Sequence, residues 1–264
     1  MKKAIKRLLN SFGVDVIRYQ KPEPPKRSVK TKNLTLYHTA TGNYYLPTDA
    51  HEDVVANTIK NNLIFEKEVI DLASKYIKPG TLVLDIGSNF GQMGILFSNM
   101  VGPNGKVYCF DADDWVFEIL SKNIAENGKQ NIIKPHFGAV YKAAGETLLF
   151  PEPDFDRFGT YGAFGIDPNA KKGREVKTLS IDSLNIQEPI SFMKVDIQGG
   201  DLEAMQGAVN TIKKHQMPIL FEYEYHFEDE FNLSFQDYVD FVQSINYKFV
   251  KVINGHNFLI VPKQ

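Results

Sequence analysis

The sequence predicts an α/β fold: a mostly parallel sheet flanked by helices, ending in an antiparallel hairpin strand, with a helical and hairpin cap at its amino end. Three observations predict it. From residue 81 onward, short apolar runs at Leu82 to Ile86, Val107 to Phe110, Ile132 to Phe137, Phe192 to Val195 and Ile219 to Tyr223 alternate with helical stretches, the pattern of strands buried on both faces. The first run ends in a glycine-bearing turn, Asp85-Ile86-Gly87-Ser88-Asn89-Phe90-Gly91. The last runs, Tyr247 to Ile253 and Phe258 to Val261, are joined by Asn254-Gly255, the strongest short-range hairpin signal.

In chain order, residues 1–32 read as a basic helix and Pro-rich linker, 33–79 as the cap, and 80–264 as the main domain. The first segment holds ten Lys or Arg against Asp15 and Glu23, a net +8 that leaves −10 for the rest of a chain whose formal charge is −2. Ile5, Leu8, Leu9 and Phe12 share one helical face and Lys2, Lys6 and Asn10 the other. That pattern suits weak contact of residues 1–27 with an anionic membrane surface; a helix docked on its own domain or on a second subunit is the plainer reading. Asn10, Gly13 and Asp15 interrupt the apolar stretch, so neither a signal peptide nor a membrane span is expected. Pro22, Pro24 and Pro25 make the following linker extended. In the cap, Leu34 to Tyr37 and Tyr44 to Leu46 flank a Thr41-Gly42-Asn43 turn, and helices are expected over 51–60 and 65–77. In the main domain the helices fall at about 90–100, 114–127, 202–213 and 234–245.

A chain of 264 residues, 43% hydrophobic and 23% charged, can bury one substantial core. Thirty Lys plus Arg against 32 Asp plus Glu give no general attraction for phosphates, so nucleic acid is not an expected partner. Cys109 is the lone cysteine, which excludes an intrachain disulfide and fits a cytoplasmic location.

Charged residues interrupt the apolar runs where strands should end, the edge at which α/β proteins bind ligands. In the first turn Gly87 and Gly91 let the backbone bend beside a ligand, while Asp85 would disfavour a pyrophosphate and favour a cationic amino group. Asp111, about twenty residues on, is placed to accept bonds from ribose hydroxyls, with Asp113 or Asp114 left to cap the next helix. Lys194 and Asp196 end the run Phe192 to Val195 before Gln198-Gly199-Gly200-Asp201. Glu222 and Glu224 alternate with aromatic residues and so share a strand face, too costly to bury without a partner. His226 follows them.

These residues carry a resemblance. A parallel sheet ending in an antiparallel hairpin strand resembles the Rossmann-like class I methyltransferases, and the motifs resemble the FkbM family of S-adenosylmethionine-dependent methyltransferases over residues 40–262. The family's Asp-Ile-Gly-Ala-Asn-x-Gly turn is matched by Asp85 to Gly91, its next strand-end acid by Asp111, its Lys-x-Asp-x-Glu-Gly strand end by Lys194 to Gly199, and its final acidic strand by Glu222. Ser88, Asp111-Ala112 and Gln198 depart from the common Ala, Glu-Pro and Glu. The resemblance implies S-adenosylmethionine held by Asp85, Gly87, Ser88, Asn89, Gly91, Asp111 and Ala112. It also implies an O-methyltransferase, which in bacteria commonly acts on sugar hydroxyls of surface polysaccharides or secondary metabolites, so the expected acceptor is a small molecule or glycan, lipid-linked if the enzyme works at the inner membrane face. Asp196 is the leading base, with Glu222, Glu224 and His226 behind it and Lys194 as an orienting cation. Tyr45, Tyr161, Tyr223 and Gln198 are the acceptor-side candidates. The mechanism requires no metal, although Asp196, Glu222 and Glu224 together offer oxygen ligands. Two rivals are weighed: an NAD-dependent oxidoreductase, disfavoured because Asn89 stands at the second glycine position of the dinucleotide turn and Gly94 at the third, and a non-catalytic cofactor-binding scaffold.

Overall fold

The computed structural model describes residues 33–152 and 159–263. The basic segment 1–32, with its expected membrane contact, lies outside the described residues, as does part of the Phe155 to Gly165 loop.

The cap opens with the hairpin β1 (Leu34–Thr39) and β2 (Gly42–Pro47), followed by α1 (Val54–Lys60) and α2 (Lys67–Ala73). The main domain alternates β3 (Leu82–Ile86), α3 (Gln92–Val101), β4 (Lys106–Asp111), α4 (Asp114–Glu126) and β5 (Ile133–Phe137). After a small insertion come β9 (Ile190–Val195), α5 (Asp201–Gln206), α6 (Val209–His215), β10 (Ile219–Glu222), α7 (Glu228–Phe231), α8 (Phe235–Ser244) and the hairpin β11 (Tyr247–Ile253) and β12 (Asn257–Pro262). The seven main strands form one sheet in the order β11-β12-β10-β9-β3-β4-β5. β5, β4, β3, β9 and β10 run parallel; β12 pairs antiparallel with both β10 and β11. The expected architecture is the one found.

Alternation along the strands sends side chains to two apolar layers. Leu82, Leu84 and Ile86 of β3 enter the layer with Met205, Ile212 and Phe241, while Val83 enters the layer with Phe97, Ile119 and the cap residues Tyr44 and Leu46. The register sets Asp85 of β3 directly opposite Lys194 of β9, so two buried opposite charges meet inside the parallel sheet.

Two features differ from the sequence expectation. The stretch 202–213 is two helices that part at Gly207, where a Cβ would overlap the Tyr141 carbonyl and only glycine fits. An unexpected sheet in the order β6-β8-β7 joins β6 (Ala139–Val140), β7 (Thr147–Phe150) and β8 (Arg174–Leu179); its short, partly exposed strands carry little apolar pattern.

Two asparagines, Asn123 within α4 and Asn127 just past its end, fix the cap. Asn123, fully buried, accepts from Tyr45 N at 2.6 Å and donates to Tyr45 O at 3.2 Å and Phe90 O at 2.9 Å. One turn on, Asn127 accepts from Asn43 N at 2.9 Å and donates to Asn43 O at 2.7 Å. An Asn123→Ala substitution strands these buried backbone groups and should lower unfolding stability by about 1–3 kcal/mol, measured by urea denaturation.

Candidate functional site

A cavity of about 570 Å³ opens at the carboxyl ends of β3, β4, β9 and β10, the edge where ligands bind in open α/β sheets and a volume suited to a small cofactor. The turn after β3 forms its floor. Gly87 and Gly91 take φ of 82° and 88°, and Asn89 takes 49°, left-handed values that glycine adopts freely and asparagine tolerates. At Gly87 a Cβ would also overlap the Asp196 carbonyl, so only glycine lets the turn lie against the end of β9.

The donors of this turn face inward. Gly87 N and Ser88 N both donate to Phe110 O at 3.0 Å, Asn89 N to Asp111 Oδ2 at 2.9 Å, Phe90 N to Asn89 Oδ1 at 2.7 Å, and Gly91 N to Ser88 O at 2.9 Å. Five consecutive backbone donors are therefore satisfied inside the protein, whereas a pyrophosphate site turns such groups outward.

Asp111 ends β4 on the cavity wall, beside Ala112. Its Oδ1 also accepts from Asp113 N at 3.0 Å, and burial pushes its carboxyl up to about 7. Asp113 caps α4 by accepting from Trp115 N and Val116 N at 2.9 Å each, the capping role that the sequence left to Asp113 or Asp114.

The end of β9 supplies the charged centre. Lys194, buried, donates to Gly87 O at 2.9 Å and pairs with Asp196 at 3.0 Å. Burial alone would lower its pKa, but the carboxylates of Asp196 and Asp85 outweigh burial and hold it above the usual lysine range. Burial opposes ionisation of Asp196 as well, and Lys194 overcomes it, so the carboxyl sits below its ordinary value. Gln198, at φ 58°, donates to Asp196 Oδ1 at 3.1 Å and to Glu222 Oε2 at 2.9 Å, linking the ends of β9 and β10. Burial and the neighbouring Asp196 and Asp201 charges push Glu222 upward. Asp201, at the start of α5, accepts from Glu222 N at 3.2 Å and holds that strand end in place.

Gly87, Ser88, Asn89, Gly91, Asp111, Ala112, Lys194, Asp196, Gln198, Glu222, Glu224 and Tyr161 all line the cavity. Four expected residues do not. Asp85 lies fully buried beneath the turn, its Oδ2 beside Cys109 Sγ at 3.8 Å, and reaches the wall only through Lys194. His226, paired with Glu224 at 3.6 Å, and Tyr223, bonded to Glu228, line a separate shallow hollow. Tyr45 stays on the cap hairpin under the Lys122 ammonium at 5.1 Å.

The cavity also contains two groups that sequence patterns missed. Glu66, from the loop before α2, and His256, from the β11–β12 turn, both line it. His256 belongs to no periodic run, and Glu66, inside the stretch expected as a helix over 65–77, instead stands just before α2. The hairpin insertion of β12 beside β10 carries His256 to within 3.7 Å of Glu222.

Fold and site together define an α/β protein with a strand-end cavity whose walls are acidic and whose glycine turn offers no anion nest. Residues 85–249 match the model of the methyltransferase FkbM domain, more than half of the chain, and the chain belongs to that family. Curated relatives include the ubiquinone/menaquinone biosynthesis C-methyltransferase UbiE of Pseudomonas putida (strain GB-1), 24% identical over 155 residues, covering 59% of this chain and 55% of the relative. The same enzyme of Ectopseudomonas mendocina (strain ymp) is 24% identical over 132 residues, covering 50% and 46%. The chain thus spans about half the length of the curated relatives it matches. Among solved structures, methyltransferase FkbM from Methylobacillus flagellatus KT aligns at 16% identity and TM-score 0.44 over 72% of this chain and 49% of that one. A SAM-dependent O-methyltransferase from Thermotoga maritima aligns at 12% identity and TM-score 0.47 over 86% and 85%.

Proposed function

We propose that the chain is an S-adenosylmethionine-dependent O-methyltransferase acting on a sugar hydroxyl, in bacterial surface polysaccharide or secondary-metabolite synthesis. The observation that carries the cofactor reading is the inward bonding of the N–H groups from Gly87 to Gly91, set against walls bearing Asp111, Asp196, Glu222 and Glu66. A dinucleotide would meet carboxylates where it needs donors; a cationic sulfonium nucleoside meets complementary charge. The residues present therefore fit S-adenosylmethionine, which supplies an electrophilic methyl group when bound. Asp111 would accept from the ribose hydroxyls, and Gly87 would let the ligand approach the backbone.

Asp196 takes the acceptor proton in this reading. Lys194 keeps it ionised and Gln198 fixes its second oxygen, yet each carboxylate oxygen has a further lone pair to offer. A carboxylate of lowered pKa is a weak base toward an alcohol. The acceptor oxygen, however, becomes far more acidic as it gains the methyl group, so the proton can pass to Asp196 late in the transfer, with alignment of oxygen, carbon and sulfur supplying most of the acceleration. Glu224 and Gln198, which also line the cavity, offer hydrogen-bond acceptors suited to sugar hydroxyls, while the Tyr161 ring packs on Phe90 with little of its surface open.

Calorimetric titration with S-adenosylmethionine, S-adenosylhomocysteine and NADH tests the cofactor assignment. Binding of both sulfur compounds without NADH is the expected result, and NADH binding alone would overturn it. Sugar acceptors are then screened by mass spectrometry for the gain of one methyl group, and modification at carbon rather than oxygen would refute the acceptor half.

A further inference from the structure

We propose that Glu66, Glu222 and His256 form a divalent-cation site in the cavity wall. One ligand atom from each lies within 4.8 Å of the others. His256 Nε2 stands 3.7 Å from Glu222 Oε1 and 3.8 Å from Glu66 Oε1, too far for hydrogen bonds. The spacing is only slightly wider than the roughly 2.9–3.4 Å that separates ligand atoms around an ion with bonds of about 2.0–2.1 Å.

A second observation points to the same place. Glu66 Oε2 is buried without a hydrogen-bond partner, while Asn257 Nδ2 donates to Oε1 at 3.1 Å. Asn257 thus orients the carboxylate whose Oε1 faces His256, the outer-neighbour support usual for a metal ligand. Oε2 is left buried and unpaired, a cost that ligation through both oxygens would remove.

The surroundings favour positive charge. Asp196 and Glu224 share the cavity with the three ligands, and the nearby Lys194 is committed to Gly87 O and Asp196. His256 is 35% exposed, which gives an ion a route in. The donors differ from the Asp196, Glu222 and Glu224 set suggested by strand pattern: Lys194 occupies Asp196, and Glu224 faces His226. One imidazole nitrogen with two carboxylates suits Mn²⁺ or Zn²⁺ better than Ca²⁺. Three protein ligands leave positions open to water or an acceptor oxygen, as in catalytic rather than structural sites.

The test titrates Mn²⁺ into the metal-stripped full chain without S-adenosylmethionine, so its outcome is independent of the methyl-transfer reading. Free Mn²⁺ is followed by electron paramagnetic resonance, with Zn²⁺ then added as a competitor. The expected result is one saturable ion per chain, displaced by one equivalent of Zn²⁺, with affinity lowered at least about tenfold by Glu66→Gln and by His256→Gln and unchanged by His226→Ala. Glu66→Gln preserves side-chain shape, and thermal unfolding of each variant establishes that the fold is intact. Absence of saturable binding overturns the proposal, as does binding that survives Glu66→Gln and His256→Gln or is lost in His226→Ala.

Discussion

Replacing Lys194 with methionine should lower unfolding stability by about 3–5 kcal/mol at pH 7.5, the scale expected when one partner of a buried charge pair is removed. The ammonium is 4% exposed and neutralises Asp196 across 3.0 Å, with Asp85 opposite it in the strand register and fully buried. Methionine fills similar volume but leaves the Asp85 and Asp196 carboxylates without the cation that acts on both. Linkage gives the sign of the pH dependence. In the wild type, Lys194 holds Asp196 below its ordinary value, so that group's contribution is present above the unfolded pKa and fades as pH falls. Burial already raises Asp85 in the wild type against the pull of Lys194; in the variant Asp85 rises further and Asp196 rises with it, so their protonation stabilises the folded variant as pH falls through the raised values. The gap between variant and wild type should therefore narrow from pH 7.5 to pH 5 in urea titrations. Adding Asp85→Asn to the variant removes one stranded charge, and the double variant should be more stable than Lys194→Met alone by about 1–3 kcal/mol. An equal deficit at both pH values, with no recovery in the double variant, would show that lost packing outweighs charge.

The same register explains why part of the site was legible in the sequence. A lysine and acids inside apolar runs at 82–86, 192–196 and 219–222 cannot be core without partners, and the parallel topology places the ends of those runs side by side. Gly87, Asp111, Lys194, Asp196 and Glu222 could therefore be read from strand patterns alone. Glu66 and His256 could not. Glu66 stands at the start of a cap helix, where the helical pattern of 65–77 marks no ligand, and His256 in a hairpin turn, and only the placement of β12 between β10 and β11 brings His256 over Glu222. Proximity in the chain favoured His226 instead, yet β10 ends at Glu222 and the following turn carries His226 to the outer hollow. Asp85 shows the opposite failure. It begins the glycine motif and reads as a ligand contact, but its side chain lies on the buried face of β3 beside Cys109, where it balances Lys194 rather than touching the cavity.

Asp196→Asn and Asp111→Asn should separate rate from cofactor affinity. An asparagine at 196 keeps size and can still bond Gln198 but strands the Lys194 ammonium, so stability should fall as well; in the fraction that thermal unfolding shows to be folded, it cannot take the acceptor proton, and kcat should fall by about 10²–10⁴-fold. The dissociation constant for S-adenosylmethionine should change by less than about threefold, since the cofactor-facing turn is held by Phe110 O, Asp111 and its own residues rather than by the Asp196 side chain. Asp111→Asn should do the reverse, weakening cofactor binding by about 10–100-fold through loss of hydrogen bonds to a charged acceptor, with a smaller effect on kcat at saturating cofactor. Burial places the Asp111 carboxyl at about 7, so its ionised fraction, and with it the affinity for a cationic nucleoside, should rise between pH 6 and pH 8 in the wild type. That rise should be reduced in Asp111→Asn and retained in Asp196→Asn. Comparable losses of kcat and affinity in both variants would place the two acids in one structural unit, and full activity in Asp196→Asn would transfer the role of proton acceptor to another cavity carboxylate, first of all Glu222, which Gln198 bridges to Asp196.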